Sequence, residues 1–255
     1  MPEVIAITNQ KGGVGKTTTS AALIASLYER GKKVLAIDLD PQGNLGFSLG
    51  VDIENTHTLY EVFKKQITIE QAICKTEYCD LLASNILLSG VELEFNKAGR
   101  EYMLKSELNH ISKNYDYIII DTPPALNLLT VNAYVASNKL IIPMAPEILS
   151  LLGVTQIKET IETVKQYYNP NLEVLGILLN KFNARLNLNR EVLEMSQQIA
   201  TQLNTKVFTS RIRQSVSVAE APAHGESVIT YAPNSKPSAD FISLTDEIVN
   251  LCEKK

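Results

Sequence analysis

The sequence predicts an α/β fold, in which a mostly parallel, twisted β-sheet carries helices on both faces. Apolar runs of strand length alternate with longer stretches of helical periodicity, as in parallel strands joined by crossover helices. Several strand candidates are apolar almost throughout, as expected for strands that are covered on both faces. A glycine-rich loop separates the first predicted strand from the first predicted helix.

The predicted elements follow one another without a break that would divide the chain. The predicted strands are Val4–Thr8, Lys33–Ile37, Asp80–Ala83, Tyr117–Asp121, Lys139–Met144, Glu173–Leu179 and the short Lys206–Phe208. Helices are predicted over Thr17–Arg30 and Gly153–Tyr168, and a last helix from about Ser238 to the C-terminus. Because no repeat or low-complexity linker interrupts this order, residues 1–255 are expected to form one domain.

Composition narrows the class of protein. The chain has 255 residues, of which 45% are hydrophobic, and no apolar run reaches the length that crosses a bilayer. Since the N-terminus runs directly into the first strand, no signal peptide is expected. The formal net charge of −4 argues against a protein that is basic all over, without excluding a local basic patch. Cys74, Cys79 and Cys252 lack metal-ligand spacing, so free thiols in the cytoplasm are expected, with a metal site as the alternative.

The closing helix has one apolar face. Phe241, Leu244, Ile248 and Leu251 fall at helical spacing, and the opposite face is mainly acidic. A helix that lies on anionic lipid needs lysine and arginine on its polar face. Packing against the sheet is therefore the expected role, and membrane binding is the less favoured alternative.

The glycine-rich loop carries the clearest chemical signal. It reads Gln10-Lys11-Gly12-Gly13-Val14-Gly15-Lys16-Thr17-Thr18-Thr19. Its backbone N–H groups can surround polyphosphate oxygens, and the N-terminus of the following helix adds the positive end of its dipole. Lys16 is placed to meet the β- and γ-phosphates of a nucleotide, and the Thr17 hydroxyl to bind Mg²⁺. The common G-x-x-x-x-G-K-T pattern is altered, because position 10 is glutamine and a second lysine stands at position 11.

Three carboxylates are predicted at the carboxyl ends of strands. Asp121 ends an apolar strand, where it can hold the Mg²⁺ shell directly or through water. Asp38 and Asp40 stand at the end of another strand and point in related directions. The alternative for Asp40, which precedes Pro41, is that it only begins a turn.

Four segments, in order, resemble the deviant Walker A ATPases, and in particular the ParA/Soj family of partition ATPases. They are the loop at 10–19 and the segments 34–44, 118–124 and 220–225. The resemblance covers nearly the whole chain. It implies a P-loop NTPase fold of the deviant Walker A type, with ATP and Mg²⁺ as cofactors and hydrolysis of ATP as the activity.

The resemblance also implies roles for individual residues. Asp40 is expected to orient or polarise the attacking water, and Asp38 to support the metal and water network. The implied catalytic residues are Lys11, Lys16, Asp38 and Asp40. The implied metal site is Thr17, Asp121 and Asp40. The nucleotide is expected to contact Lys11, Gly12, Gly13, Val14, Gly15, Lys16, Thr17 and Thr18.

Lys11 is implied to cross a face-to-face homodimer and contact the nucleotide of the partner. An added cation of this kind acts like an arginine finger, because one loop lysine cannot neutralise a triphosphate buried between two subunits. ATP is then both the substrate and the link between the subunits, and its hydrolysis should release the dimer.

The adenine pocket is expected at Asn180 and along the segment that contains Arg213 and Ser215. The alternative for Asn180 is that it serves only as a turn residue after a strand. Contacts to DNA are expected from Arg185, Arg211, Arg213 and Lys236, with solvated surface charges as the alternative. A second family arginine is replaced by Ser217, which predicts weaker DNA binding than is usual in the family.

The expected function is therefore an ATP-dependent dimerising switch that hydrolyses ATP slowly. It would act in chromosome or plasmid partition through non-specific DNA binding by the ATP dimer. Expected partners are a second copy, DNA and a centromere-binding ParB/Spo0J-like activator, without a membrane, and the expected location is the cytoplasm, at the nucleoid in the ATP state. Alternatives are a positioning ATPase for a protein cargo and an ATP-dependent regulatory adaptor. An electron carrier with an iron–sulfur cluster is rejected, because no cysteine follows Asp121 closely.

Overall fold

The structure is a computed structural model that describes residues 1–146, 148–182 and 187–253. Over these ranges the strands are β1 (Glu3–Ile7), β2 (Val34–Asp38), β3 (Cys74–Lys75), β4 (Asp80–Leu82), β5 (Tyr117–Asp121), β6 (Lys139–Met144) and β7 (Glu173–Leu179). They form one sheet with the order β3-β4-β2-β5-β1-β6-β7. The β3–β4 pair is antiparallel and the other described pairs are parallel, so the mostly parallel sheet predicted from the sequence is confirmed.

The helices connect these strands on both faces of the sheet. Their bounds are α1 (Lys16–Glu29), α2 (Asn44–Ser48), α3 (Leu59–Phe63), α4 (Ile69–Ala72), α5 (Val91–Glu94), α6 (Met103–Ile111), α7 (Leu128–Ala136), α8 (Ile148–Tyr167), α9 (Asn187–Gln202), α10 (Val216–Glu220), α11 (Val228–Tyr231) and α12 (Lys236–Glu253). Short 3₁₀ helices lie at Ile53–Asn55, Ile86–Gly90, Arg100–Tyr102, Ser112–Asn114 and Ala221–His224.

Alternate residues of the central strands supply two separate cores. On β1, Ile5 and Ile7 join the cluster formed with α1, α2, α11 and α12. Ala6, between them, faces the cluster formed with α3 to α9. Because successive side chains of a strand point to opposite faces, a strand buried on both sides must be apolar at every position. This explains the continuous apolar runs in the sequence.

The central strands end in register at the edge where the glycine-rich loop leaves the sheet. Ile7 of β1 is paired with Asp121 of β5, and Asp121 is paired in turn with Asp38 of β2. The chain turns from β1 into α1 at the centre of the sheet, between β5 and β6. Ligands of doubly wound sheets bind at this position, outside the carboxyl ends of the strands.

Several predicted ends are shifted by one or two residues, and two predicted elements need a larger correction. Lys206–Phe208 is not a strand, because it forms a single parallel bridge between Val207 and Ile177 before the chain turns away. Helix α8 begins at Ile148, earlier than the predicted Gly153. The sequence analysis did not predict β3, because two residues are too few for a periodic pattern.

The closing helix α12 packs on the sheet layer, as predicted. Phe241, Leu244 and Ile248 are buried in the cluster that contains α1. An ion pair between Arg30 and Asp246 joins α12 to the end of α1. Among the helices that the structure describes, none combines the length and the apolar character required to span a bilayer.

Gly176 in β7 gives a test of the packing beneath the candidate site. A Cβ atom at this position would lie 2.6 Å from Cε2 of Phe208, whose ring is buried. We expect Gly176→Ala to lower the free energy of unfolding by about 1–3 kcal/mol, because overpacking outweighs the entropic gain of replacing glycine. Urea unfolding measures this loss.

The matched control is the double variant Gly176→Ala/Phe208→Leu, in which the smaller side chain relieves the contact. The loss in free energy of unfolding should be smaller in the double variant than the sum of the losses in the two single variants. Additive losses, or a Gly176→Ala protein as stable as the wild type, would contradict the close contact.

Candidate functional site

The loop between β1 and α1 is built around glycines in a conformation that side chains disfavour. Gly13 and Gly15 have φ values of 73° and 89°. At Gly15 a Cβ atom would also lie 2.6 Å from Nδ2 of Asn180, so this side of the loop has no room for a side chain. The loop borders a cavity of about 720 Å³. This volume lies within the range of small-molecule and cofactor sites.

Asn9, which the sequence analysis missed, fixes the start of the loop. Its Oδ1 accepts a hydrogen bond from the backbone N–H of Lys11 (2.9 Å), and its Nδ2 donates to the carbonyl of Pro143 (2.7 Å). The buried amide therefore joins the loop to the end of β6. A turn-forming asparagine directly after a strand was the available signal.

Lys16 places an ammonium group at the floor of the cavity. The residue is only 6% exposed, and its Nζ donates to the carbonyl of Lys11 at 3.3 Å. Burial lowers the pKa of Lys16, and the negative charges of Asp121 and Asp40 oppose this shift. A partly desolvated cation at the N-terminus of a helix favours a polyanion, which would restore the interactions lost with water.

Asp121 is held by two hydroxyl groups from α1. Thr17 Oγ1 donates to its Oδ2 at 2.6 Å, and Ser20 Oγ donates to its Oδ1 at 2.9 Å. Complete burial raises the pKa of Asp121, against the opposing effects of these hydrogen bonds and of Lys16. Ser20 was missed in the sequence, although it lies three residues after Thr17 and therefore on the same helix face.

Asp40 and Asp38 have different surroundings. Asp40 lines the cavity, and its Oδ1 accepts a hydrogen bond from the backbone N–H of Gln42 (3.0 Å). Asp38 is completely buried, and its oxygens accept hydrogen bonds from the backbone N–H groups of Asp40 (3.0 Å) and Leu45 (2.9 Å). Burial first, and the charge of Asp121 second, raise the pKa of Asp38. Asp38 thus holds the backbone of the segment that carries Asp40. A catalytic role for Asp38 stays a prediction.

Asn180 is fixed against the glycine-rich loop by its amide nitrogen. Nδ2 donates to the carbonyl of Val14 at 2.8 Å, which orients the side-chain oxygen away from the loop. That oxygen is buried and has no hydrogen-bond partner among the residues that the structure describes. Asn180 lines the cavity, so its unpaired buried acceptor makes it a candidate for contact with a ligand that carries a hydrogen-bond donor.

Arg213 and Ser215 line the same cavity, as the prediction of a base pocket requires. The guanidinium of Arg213 makes two hydrogen bonds to Asp240, from Nε (2.7 Å) and from Nη2 (2.6 Å). This bidentate pair fixes the side chain between the cavity and α12. Ser215 shares a hydrogen bond with Ser217 at 2.9 Å.

Two of the other predicted DNA contacts, Arg211 and Lys236, lie within the described residues. Arg211 is exposed, and its guanidinium lies 4.8 Å from the centre of the Phe182 ring. Lys236 is exposed at the first turn of α12. Arg185 lies outside the described residues. Arg213 has its charge compensated by Asp240, which makes it a weaker candidate for a phosphate contact than Arg211.

The structure brings most of the predicted nucleotide contacts into one place. The predicted residues that line the cavity are Gly12, Gly13, Gly15, Lys16, Thr17, Thr18, Asp40, Asn180, Arg213 and Ser215. Val14 is buried and offers its carbonyl to Asn180, and Lys11 is half-buried at the start of the loop. Lining residues that the sequence analysis did not predict as nucleotide contacts include Gln42, Asn44, Phe47, Pro124, Pro222 and Phe241.

The donors at this edge fit a magnesium nucleotide. Thr17 and Asp121 offer oxygen atoms. The charge of Asp40 contributes an upward shift to the pKa values of both Lys16 and Asp121, so the three charged groups lie close together. Mg²⁺ typically takes one or two protein oxygens and completes its shell with phosphate oxygens and water. Within the described ranges, no group of three or more His, Cys, Asp or Glu side chains is placed to hold a metal by itself.

Similarity to known proteins agrees with this geometry. A family described as an AAA domain matches residues 2–174. The sporulation initiation inhibitor protein Soj of Bacillus subtilis is 40% identical over 254 residues, which cover 97% of this chain and 98% of Soj. The chromosome partitioning protein ParA of Myxococcus xanthus is 38% identical, with 96% of this chain and 87% of that protein covered.

A solved structure extends the similarity to three dimensions. Cobyrinic acid a,c-diamide synthase from Mycobacterium smegmatis, crystallised with ADP and magnesium, has a TM-score of 0.87 at 35% identity, and the match covers 100% of this chain and 96% of the other. The similarity to Soj and ParA and the lysine-bearing glycine loop lead to the same assignment. The chain is a member of the ParA/Soj family of deviant Walker A P-loop proteins.

Proposed function

We propose that the protein is an ATP-dependent dimerising switch that hydrolyses Mg²⁺-bound ATP slowly and acts in chromosome or plasmid partition. One observation carries the proposal. Lys16, Thr17 and Asp40 line the same cavity, and the Thr17 hydroxyl donates at 2.6 Å to Asp121, the buried last residue of β5. This arrangement supports a site in which Lys16 binds phosphate, Thr17 and Asp121 hold Mg²⁺, and Asp40 orients water.

The base specificity follows from Asn180. Its buried side-chain oxygen lacks a donor among the described residues, its nitrogen donates to the carbonyl of Val14, and the residue lines the cavity. The 6-amino group of adenine supplies a donor, whereas guanine has a carbonyl at that position and would leave two acceptors facing each other. ATP is therefore the proposed nucleotide, and GTP should bind less well.

Hydrolysis requires that charge be neutralised and water be aligned. Bound Mg²⁺ would neutralise charge on the β- and γ-phosphates, held by the Thr17 hydroxyl and the Asp121 carboxylate. Lys16 binds the same phosphates from the loop side. Asp40, which is fixed by the N–H of Gln42, accepts a hydrogen bond from the attacking water and orients it towards the γ-phosphorus. Asp38 keeps Asp40 in place by accepting its backbone N–H.

The dimer is proposed to form across this same edge. Lys11 of one subunit would reach the triphosphate of the other, so that the second cation is present only in the dimer. Loss of the γ-phosphate then removes the charge that holds the subunits together. This is the behaviour of a timer, in which the lifetime of the dimer is set by slow hydrolysis.

The cargo is proposed to be DNA, held non-specifically by the dimer at the nucleoid and released by a ParB/Spo0J-like activator in the cytoplasm. The names of the relatives Soj and ParA support this choice over the positioning ATPase and the regulatory adaptor. Cobyrinic acid a,c-diamide synthase is named for a different activity, and this chain is less similar to it (35% identity) than to Soj (40% identity). Arg211 and Lys236, together with Arg185 beyond the described residues, are the proposed phosphate contacts.

Removal of the loop cation should weaken nucleotide binding strongly. We expect Lys16→Ala to weaken ATP affinity by about tenfold or more, because a charge-assisted contact to the phosphates is lost in a partly desolvated site. Isothermal calorimetry measures the affinity. The matched control is Lys32→Ala, a lysine near the other end of α1 that pairs with Glu253 and should leave binding unchanged. ATP affinity within twofold of wild type in Lys16→Ala would refute the phosphate site.

Two further variants should separate binding, dimerisation and hydrolysis. Asp40→Ala should bind ATP without hydrolysing it, so a dimer accumulates. Lys11→Ala should bind ATP as a monomer and form little dimer, since its cation acts across the interface. Light scattering after size exclusion in ATP gives the mass, and phosphate release gives the rate. A monomeric Asp40→Ala protein, or a Lys11→Ala protein as active as wild type, would rule out this mechanism.

DNA binding should depend on the ATP dimer. Because dimerisation doubles the number of phosphate contacts on one surface, Asp40→Ala with ATP should bind DNA in a salt-sensitive manner, and with ADP it should not. Arg185→Ala or Arg211→Ala should flatten the salt dependence by about one unit, and Ser217→Arg should strengthen binding. Lys206→Ala, at a lysine paired with Glu247, is the control.

Electrophoretic mobility shifts and the ATPase rate with DNA and a ParB-like protein decide between the cargoes. The partition proposal predicts an ATP-dependent shift and a higher rate when both are present. If no shift occurs even at low salt, the hypothesis of an ATP-dependent regulatory adaptor replaces the partition proposal.

A further inference from the structure

We propose that Ser20 is a positioning residue for the magnesium ion of the nucleotide, and that it acts through Asp121. The hydroxyl of Ser20 fixes the Asp121 carboxylate, and Asp121 in turn fixes the proton of the Thr17 hydroxyl. The inference rests on the proposed function, in which Thr17 and Asp121 hold Mg²⁺. It adds a residue that does not line the cavity but sets how well the ion is bound.

Ser20 lies beneath the site, on the same helix face as Thr17. Ser20 is completely buried, whereas Thr17, three residues earlier on α1, lines the cavity. Both hydroxyls meet one carboxylate, because Ser20 Oγ donates to Oδ1 of Asp121 at 2.9 Å and Thr17 Oγ1 donates to Oδ2 at 2.6 Å. A carboxylate that is bonded at both oxygens cannot rotate without breaking one of these bonds. Ser20 therefore controls the orientation of Asp121 from the side away from the cavity.

The orientation of Asp121 decides what the Thr17 oxygen can offer to a cation. A hydroxyl group has one proton and two lone pairs. Because the proton of Thr17 is donated to Asp121, the lone pairs of the same oxygen remain for a cation in the cavity. If Asp121 rotates, Thr17 loses the acceptor that directs its proton. Residues that orient a metal ligand in this way typically contribute about 10–100-fold to metal affinity.

The alternative is that Ser20 bonds only to the backbone of its own helix. Its Oγ also lies 3.1 Å from the carbonyl oxygen of Lys16, a contact that serines often make inside helices. One proton cannot serve both acceptors fully. The carboxylate is the nearer acceptor, and its charge strengthens a hydrogen bond. Since Asp121 is completely buried, solvent does not supply a replacement donor when the Ser20 hydroxyl is removed.

The test measures ATP affinity by calorimetry, once with Mg²⁺ and once with EDTA in its place. With Mg²⁺, Ser20→Ala should bind ATP about tenfold more weakly than wild type, as expected for loss of a hydrogen bond to a charged group. With EDTA, the affinity should stay within about twofold of wild type, because Lys16 and the loop backbone are unchanged. Ser20→Thr keeps the hydroxyl and should restore most of the Mg²⁺-dependent affinity.

Ser196→Ala is the matched control. Ser196 is also a completely buried serine on a helix, and its hydroxyl donates to the carbonyl of Val192, four residues earlier. This variant loses only the kind of backbone contact that Ser20 makes to its own helix, at a place that does not line the cavity. Its ATP affinity should match wild type in both conditions. Thermal unfolding without ligand reports the structural cost of each serine.

The two conditions separate a positioning role from a structural one. Equal losses of affinity with Mg²⁺ and with EDTA would overturn the inference, since Ser20 would then support the loop as a whole. Wild-type affinity of Ser20→Ala with Mg²⁺ would overturn it as well, in favour of the backbone bond alone. A wild-type protein whose ATP affinity does not depend on Mg²⁺ refutes the magnesium site of the proposed function, which distinguishes that failure from failure of the role of Ser20.

Discussion

The site depends on one buried carboxylate. Asp121 ends the strand next to β1, and both of its oxygens are held by hydroxyl groups of α1. These hydrogen bonds join the sheet edge to the helix that follows the glycine-rich loop, so they fix the proposed phosphate-binding residues relative to the proposed metal ligands. The arrangement has an energetic cost, because burial disfavours the charged forms of both Asp121 and Lys16. A magnesium nucleotide, with a cation and an anion, would relieve both.

The sequence was most informative where function and structure are set by neighbouring residues. The strands β5, β6 and β7 have the predicted bounds, because unbroken apolar runs are local patterns. The glycine-rich loop was also predicted correctly, because backbone positions with positive φ angles favour glycine and so mark the loop in the sequence. Contacts between distant parts of the chain could not be predicted. The pair between Arg213 and Asp240 makes Arg213 a weaker candidate for the proposed DNA contacts, and no periodic pattern in the sequence predicts this pair.

Asp38 illustrates a second limit of sequence reasoning. Its spacing from Asp40 suggested two side chains with related roles, because alternate residues of a strand point the same way. The chain leaves the strand after Asp38, however, and the Asp38 carboxylate turns to accept backbone N–H groups of Asp40 and Leu45. A motif identifies residues that belong together, but hydrogen bonding decides which of them faces the ligand and which one supports it.

The single bridge at Val207 has a consequence for how copies of the protein can associate. A bare outer strand invites another chain to extend the sheet. Here the 206–208 segment occupies backbone groups of Ile177 on β7, with Ile177 N–H donating to Lys206 and Phe208 N–H donating to Ile177. At the opposite border, β3 offers only two residues. Both borders are thus poor templates for open-ended stacking into fibres. The proposed dimer therefore does not need the borders of the sheet, and extension of the sheet by further copies is disfavoured.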